Sequence, residues 1–127
     1  MTVKFWRRDR KLKTARFQKR WGELQKMCSS KENWAAAMQN ADKLLDEALR
    51  KKRIRGKNMG ERLVRAQHLL SDNDGVWFGH KLRAKIEAEP AAKLKEPDVK
   101  NALIGIRQAL KDLGALPETG KETSHDK

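Results

Sequence analysis

Cysteine occurs once in the 127 residues, at Cys28. No disulfide framework or thiol-rich metal site can be built from it, and a reduced, cytoplasmic setting is expected. No CxxC, HExxH or glycine-rich phosphate loop is present. Metal-assisted catalysis and nucleotide hydrolysis therefore have no motif, and neither a metal nor a small-molecule cofactor is expected. No apolar run approaches the ~20 residues of a membrane span. The early Lys and Arg residues are not followed by the apolar core of a signal peptide, so none is expected. No segment alternates apolar and polar residues as a strand does. Proline occurs three times, at Pro90, Pro97 and Pro117, and each reads as a boundary rather than an interior position.

What the chain does have is positive charge. Its formal net charge is +13 and its pI about 10.2, which favours polyanionic partners: nucleic acid first, an anionic membrane surface second. Residues 1–28 hold ten Lys and Arg against Asp9 and Glu23. Residues 1–16 read as a basic arm carrying Lys4, Arg7, Arg8, Arg10 and Lys11 around the isolated Phe5 and Trp6. An exposed Trp6 among cations can stack on a base or sit at a lipid headgroup interface.

From residue 17 to 116 the periodicity is helical. Phe17, Trp21, Leu24 and Cys28 recur at i, i+4, i+7 and i+11, giving a docked amphipathic helix. Ser29 with Glu32 forms a capping box for a second helix, with Trp34, Ala37, Met38, Ala41, Leu45, Ala48 and Leu49 on one face. Asp42, Asp46 and Glu47 fall on the opposite or flanking side. Asp42 and Asp46 lie at i and i+4, but no other ligand-type residue joins them, and charge partners such as Lys43 or Arg50 account for both. The helix is expected to end in Arg50-Lys51-Lys52-Arg53, with Gly56 as the left-handed cap. Arg50 to Arg53, with Arg55 beyond, compensate the helix dipole on one reading and contact phosphate on another.

Asn58 caps a short third helix containing Leu63, Val64, Gln67, Leu69 and Leu70, and Ser71 to Gly75 form a turn and cap ahead of the next. That next helix stops at Pro90. Pro97 opens the last one, whose stripe is Val99, Leu103, Ile106, Leu110 and Leu113, with Gly114 as cap. Residues 117–127 have nothing to bury and are expected to be disordered. The fold class expected is all-α, an up-and-down bundle of four or five helices with Leu45, Leu82, Ile86, Leu103, Ile106 and Leu110 in one core.

The helix before Pro90 is the richest in chemistry. His80, Ala84 and Ala88 form one stripe, extended by Trp77 and flanked by Arg83, while Phe78, Leu82 and Ile86 form a second about 160° around the helix. Two apolar sides predict a central helix packed on both flanks.

The run His80-Lys81-Leu82-Arg83-Ala84-Lys85-Ile86-Glu87-Ala88-Glu89-Pro90 resembles the segment HKxRNxIxHEP of small helical proteins of reduced-genome bacteria that are similar to the HEPN superfamily. The similarity continues through Trp21, Trp34, Ala41 to Leu49, Gly56, Met59 to Leu63 and Leu110 to Gly114, over residues 17–116 or so. It implies a HEPN-like bundle. In HEPN nucleases the motif's arginine and histidine cleave RNA without metal, typically across a symmetric dimer, so a homodimer is also implied. Here Arg83 matches, but Ala84 stands at the asparagine position and Ala88 at the histidine position.

Alanine has no proton to exchange, and Arg83 can bind phosphate but not move a proton. His80, one turn before Arg83, is the candidate surrogate base, although a lone histidine on a packed helix is more often a partly buried residue with a satisfied hydrogen bond. Arg83 reads equally as an ion-pair partner of Glu87 at i+4. The expected function is therefore a non-catalytic module that binds RNA or another polyanion through the arm, Arg50 to Arg55, Lys81 and Lys85. The alternatives are a residual endoribonuclease using Arg83 and His80, and a membrane-peripheral protein whose residues 2–13 lie on an anionic bilayer.

Overall fold

The structure, a computed structural model, describes residues 11–117. The expectations placed on Lys4, Trp6, Arg7, Arg8, Arg10 and the tail after Pro117 lie outside those residues. Among the described residues five α-helices make a compact all-α bundle: α1 (Thr14–Met27), α2 (Trp34–Lys51), α3 (Met59–Ala66), α4 (Asn73–Ala88) and α5 (Glu96–Asp112). No strand occurs among the described residues.

The hub is α2, not the helix before Pro90. Ala37, Met38, Ala41, Leu44, Leu45, Ala48 and Leu49 are all buried on α2, which touches each of the other four helices. Against it pack Phe17, Trp21 and Leu24 of α1, Leu63 of α3, Leu82 and Ile86 of α4, and Ile106 and Leu110 of α5, in one continuous core. Of the six residues predicted for that core, Leu103 is only half-buried at its edge. Ala102, Gly105 and Ile106 take the inner face of α5 instead.

The α4 expectation of two apolar sides holds only in part: the helix packs on both α5 and α2, and of the Trp77 stripe only Trp77 and His80 are partly buried. Its buried residues are Val76, Gly79, Leu82 and Ile86, one stripe only. Phe78, Ala84 and Ala88 are exposed. That stripe runs along α5 in the most extensive contact between helices in the bundle. The two backbones approach closely because the crossing is lined by glycine: a Cβ on Gly105 would stand 2.4 Å from the Gly75 backbone.

Two helix termini differ from the sequence expectation. Ser29 makes no cap for α2; its hydroxyl donates to Lys26 O, and a 3-10 turn over Lys31–Asn33 leads into Trp34. At the other end the left-handed residue is Arg53, φ 66°, rather than Gly56. Ile54 N donates to Leu49 O (3.0 Å) and Arg53 N to Arg50 O (2.9 Å), the paired bonds of a Schellman cap. Gly56 serves a different purpose, since a Cβ there would meet the Arg62 nitrogen at 2.8 Å. The expected caps at Asn58, which accepts from Glu61 N at 2.9 Å, and at Gly114, φ 83°, are present.

Candidate functional site

Three carboxylates on α2 each hold a different neighbour. Glu47 pairs with Arg16 and Arg20 of α1. Asp46 accepts a forked pair of hydrogen bonds from Arg62 of α3, at 2.7 and 3.1 Å, and forms a looser ion pair with Arg50 at 3.5 Å. Asp42 reaches α4, and it is the one buried charged side chain among the described residues, 2% exposed.

This overturns the placing of Asp42 on the polar side of its helix. Met38, Leu45 and Leu49, at i−4, i+3 and i+7, are all apolar, and that spacing already put Asp42 on the buried face. Its partner is neither Lys43 nor Arg50. Arg83 Nε donates to Asp42 Oδ2 at 2.8 Å, and His80 Nδ1 lies 3.2 Å from the same oxygen. Arg83 Nη1 also pairs with Glu87 at 2.6 Å, as the i+4 spacing predicted. Burial pulls the Arg83 pKa down, but the Asp42 and Glu87 carboxylates more than offset this and leave it raised.

The Trp77 ring meets His80 edge-on, with centroids 5.8 Å apart. With a carboxylate at Nδ1, the imidazole carries its proton there when neutral and leaves Nε2 as the acceptor. Chemically the cluster orients a histidine and neutralises an arginine. Ala84 and Ala88 stand exposed on the same helix and add no functional group.

The basic residues form a second site. Lys11, Arg50, Lys51, Lys52, Arg53 and Arg55 line one open cleft of about 1120 Å³, as predicted binding residues brought together. Lys13, Arg16, Arg65 and His68 complete it, and Leu12, Phe17, Ile54 and Leu69 form its apolar part. Sequence reasoning missed Arg65 and His68 because they come from the last turn of α3 and the turn after it, outside the visible basic run, and reach the cleft only through the packing of α3. Lys81 and Lys85 are exposed on α4 and do not line this cleft.

Nine Lys and Arg thus share one concave surface, and among the described residues no carboxylate lines it. Arg16 and Arg50 are balanced from behind by Glu47 and Asp46. Arg53, Arg55 and Arg65 have no salt bridge among the described residues. No group of three or more potential metal ligands occurs among the described residues, and no helix there is long and apolar enough to cross a membrane. Cys28 is half-buried with its thiol on Leu24 O, and burial raises its pKa, away from a reactive thiolate.

No family model, no curated protein and no solved structure matches the chain.

Proposed function

We infer that the chain is a HEPN-like helical module that binds RNA or another polyanion without cleaving it, in a cytoplasmic setting. The observation that carries this reading is the cleft, in which nine Lys and Arg from α1, α2, α3 and the segments flanking them converge, with no carboxylate among the described lining residues. Like charges gathered in this way repel one another, and a polyanion relieves that repulsion while releasing its own counterions.

Fluorescence anisotropy with labelled single-stranded RNA tests it. Affinity should fall steeply with salt, and the double change Arg55→Ala with Arg65→Ala should flatten the log–log slope by about 1.4, at roughly 0.7 per phosphate contact. A slope identical to the parent's would place binding away from the cleft. Flotation with anionic liposomes in place of RNA binding would favour the membrane-peripheral reading.

A second reading, residual metal-independent cleavage using His80 and Arg83, has one observation in its favour: the Asp42 carboxylate orients His80 as a general base is oriented in many hydrolytic sites. Against it, Asp42 and Glu87 already occupy two of the Arg83 nitrogens. An arginine so neutralised is a weak phosphate ligand. Structural tethering of α4 to α2 accounts for the cluster without chemistry.

A further inference from the structure

Two helices of this chain end in the same cap, and only one of them uses glycine for it. After α5, Gly114 N donates to Lys111 O at 3.0 Å and Ala115 N to Leu110 O at 2.8 Å, with Gly114 at φ 83°. After α2 the equivalent position is Arg53, at φ 66°. A side chain in the left-handed region is strained, and among the described residues no other non-glycine residue has positive φ. Glycine would make the same two hydrogen bonds with less strain. Compensation of the α2 dipole does not explain the choice, because Arg50 and Lys51 already supply charge in the last turn.

What distinguishes the two caps is their surroundings. Gly114 faces open space, whereas Arg53 lines the basic cleft beside Arg55 and Arg65. Strain kept where a simpler residue would relieve it points to a role for the side chain. The guanidinium is suited to one, since its planar fork binds phosphate oxygens in pairs.

The shape and lining of the cleft narrow the ligand. A concave surface admits a strand and not a flat bilayer. Among the described residues, Phe17 is the single Phe, Tyr or Trp in its lining; it is 1% exposed and offers no face for a base to stack on. Of the described lining residues, His68 alone provides a partly available ring. Recognition must then fall on the phosphates.

Resting on the polyanion-binding reading above, we propose that Arg53 is the principal phosphate-contacting residue of the cleft, and that its ligand is the phosphodiester backbone of RNA, bound without reading the bases. The left-handed cap brings the Arg53 side chain to the lining of the cleft, at a cost in stability.

The test uses the full chain with two fluorescein-labelled strands of about 12 nucleotides, one of oligouridine and one of abasic ribose phosphate, and with the variants Arg53→Gly and Arg53→Lys. The parent should bind both strands within about twofold. Arg53→Gly should weaken both about tenfold, the loss of one charge-assisted contact, while raising Tm by roughly 2–4 °C as strain is released. Arg53→Lys should lose affinity by less and gain no Tm, because it keeps both the charge and the strained backbone. Unchanged affinity in Arg53→Gly overturns the assignment, and so does a fall in its Tm, which would make Arg53 part of the helix terminus. A tenfold preference for oligouridine over the abasic strand overturns base-independent binding. If the parent binds neither strand, the RNA-binding reading itself fails, whatever the variants do.

Discussion

Arg83 Nε donates to Asp42 Oδ2 across 2.8 Å, joining α4 to the hub helix through a carboxylate that is 2% exposed. A buried carboxylate is costly unless it is paired and hydrogen-bonded, so this contact is a condition of the fold rather than an ornament of the surface. Glu87, on the outer side of Arg83, is 57% exposed in its side chain and contributes little.

Removing one partner of the buried pair should therefore cost far more than removing the exposed one. Arg83→Ala leaves Asp42 with His80 alone, and a loss of about 3 kcal/mol is expected. Glu87→Ala should stay within about 1 kcal/mol of the parent. Urea denaturation of the two variants side by side checks the ordering, and equal losses would show that the Asp42 contact is not the stronger one.

The pair was hidden from sequence reading for a physical reason. Helical period located all five helices, because each buries a stripe of its own residues. It also carried the information that Asp42 lies between Met38, Leu45 and Leu49, but a carboxylate at an apolar position has no meaning until its partner 38 or 41 residues away is known. The cleft was half legible in the same way. Arg50 to Arg55 are a visible run, whereas Arg65 and His68 join them only through the packing of α3 against α2. Likewise the left-handed conformation favours glycine and so points to Gly56, whereas Arg53 adopts it.

Acid stability should depend on Glu47. Burial alone would raise its pKa, but the Arg20 hydrogen bond and the nearby Arg20, Arg16 and Lys51 charges outweigh it and hold the folded value below the ordinary 4.5. A depressed folded pKa means that the stabilisation is complete above the unfolded value near pH 4.5 and is lost as pH falls through the lower folded value. Glu47→Gln should therefore lower Tm at pH 7 and show a shallower decline below pH 4.5 than the parent. Parallel Tm-against-pH curves would remove the assignment.

The close approach of α4 and α5 predicts an asymmetry among α5 substitutions. Gly105→Ala places a methyl against the Gly75 backbone, which cannot swing aside as a side chain would, and about 1–3 kcal/mol of overpacking is expected. Leu110→Ala, at a fully buried position, should cost about 2–5 kcal/mol. Leu103→Ala should cost less than Leu110→Ala, since Leu103 is half-buried at the core's edge. Chemical denaturation of the three variants gives the order, and a Leu103→Ala loss equal to that of Leu110→Ala would place both on the same face.

The chain itself is expected not to cleave RNA. Losing a general acid or base typically costs roughly 10²–10⁴ in rate, and the position that the HEPN-like resemblance gives to histidine is Ala88. Ala84 and Ala88 are both exposed on α4, so Ala84→Asn with Ala88→His introduces no clash and no buried polar group. On the reading that the scaffold is otherwise competent, that variant should gain cleavage in excess chelator and leave a 2′,3′-cyclic phosphate. Arg83 sets the limit on the gain, because Asp42 and Glu87 hold two of its nitrogens. Adding Glu87→Ala would free the Nη1 side and should raise the rate further. Parent and variants are compared on one labelled RNA. Cleavage by the parent that disappears in His80→Ala would establish the Asp42-oriented histidine as the working base and replace the binding-only reading. Cleavage by none of them would leave α4 as a helix tethered to α2 by an ion pair, with function confined to the cleft.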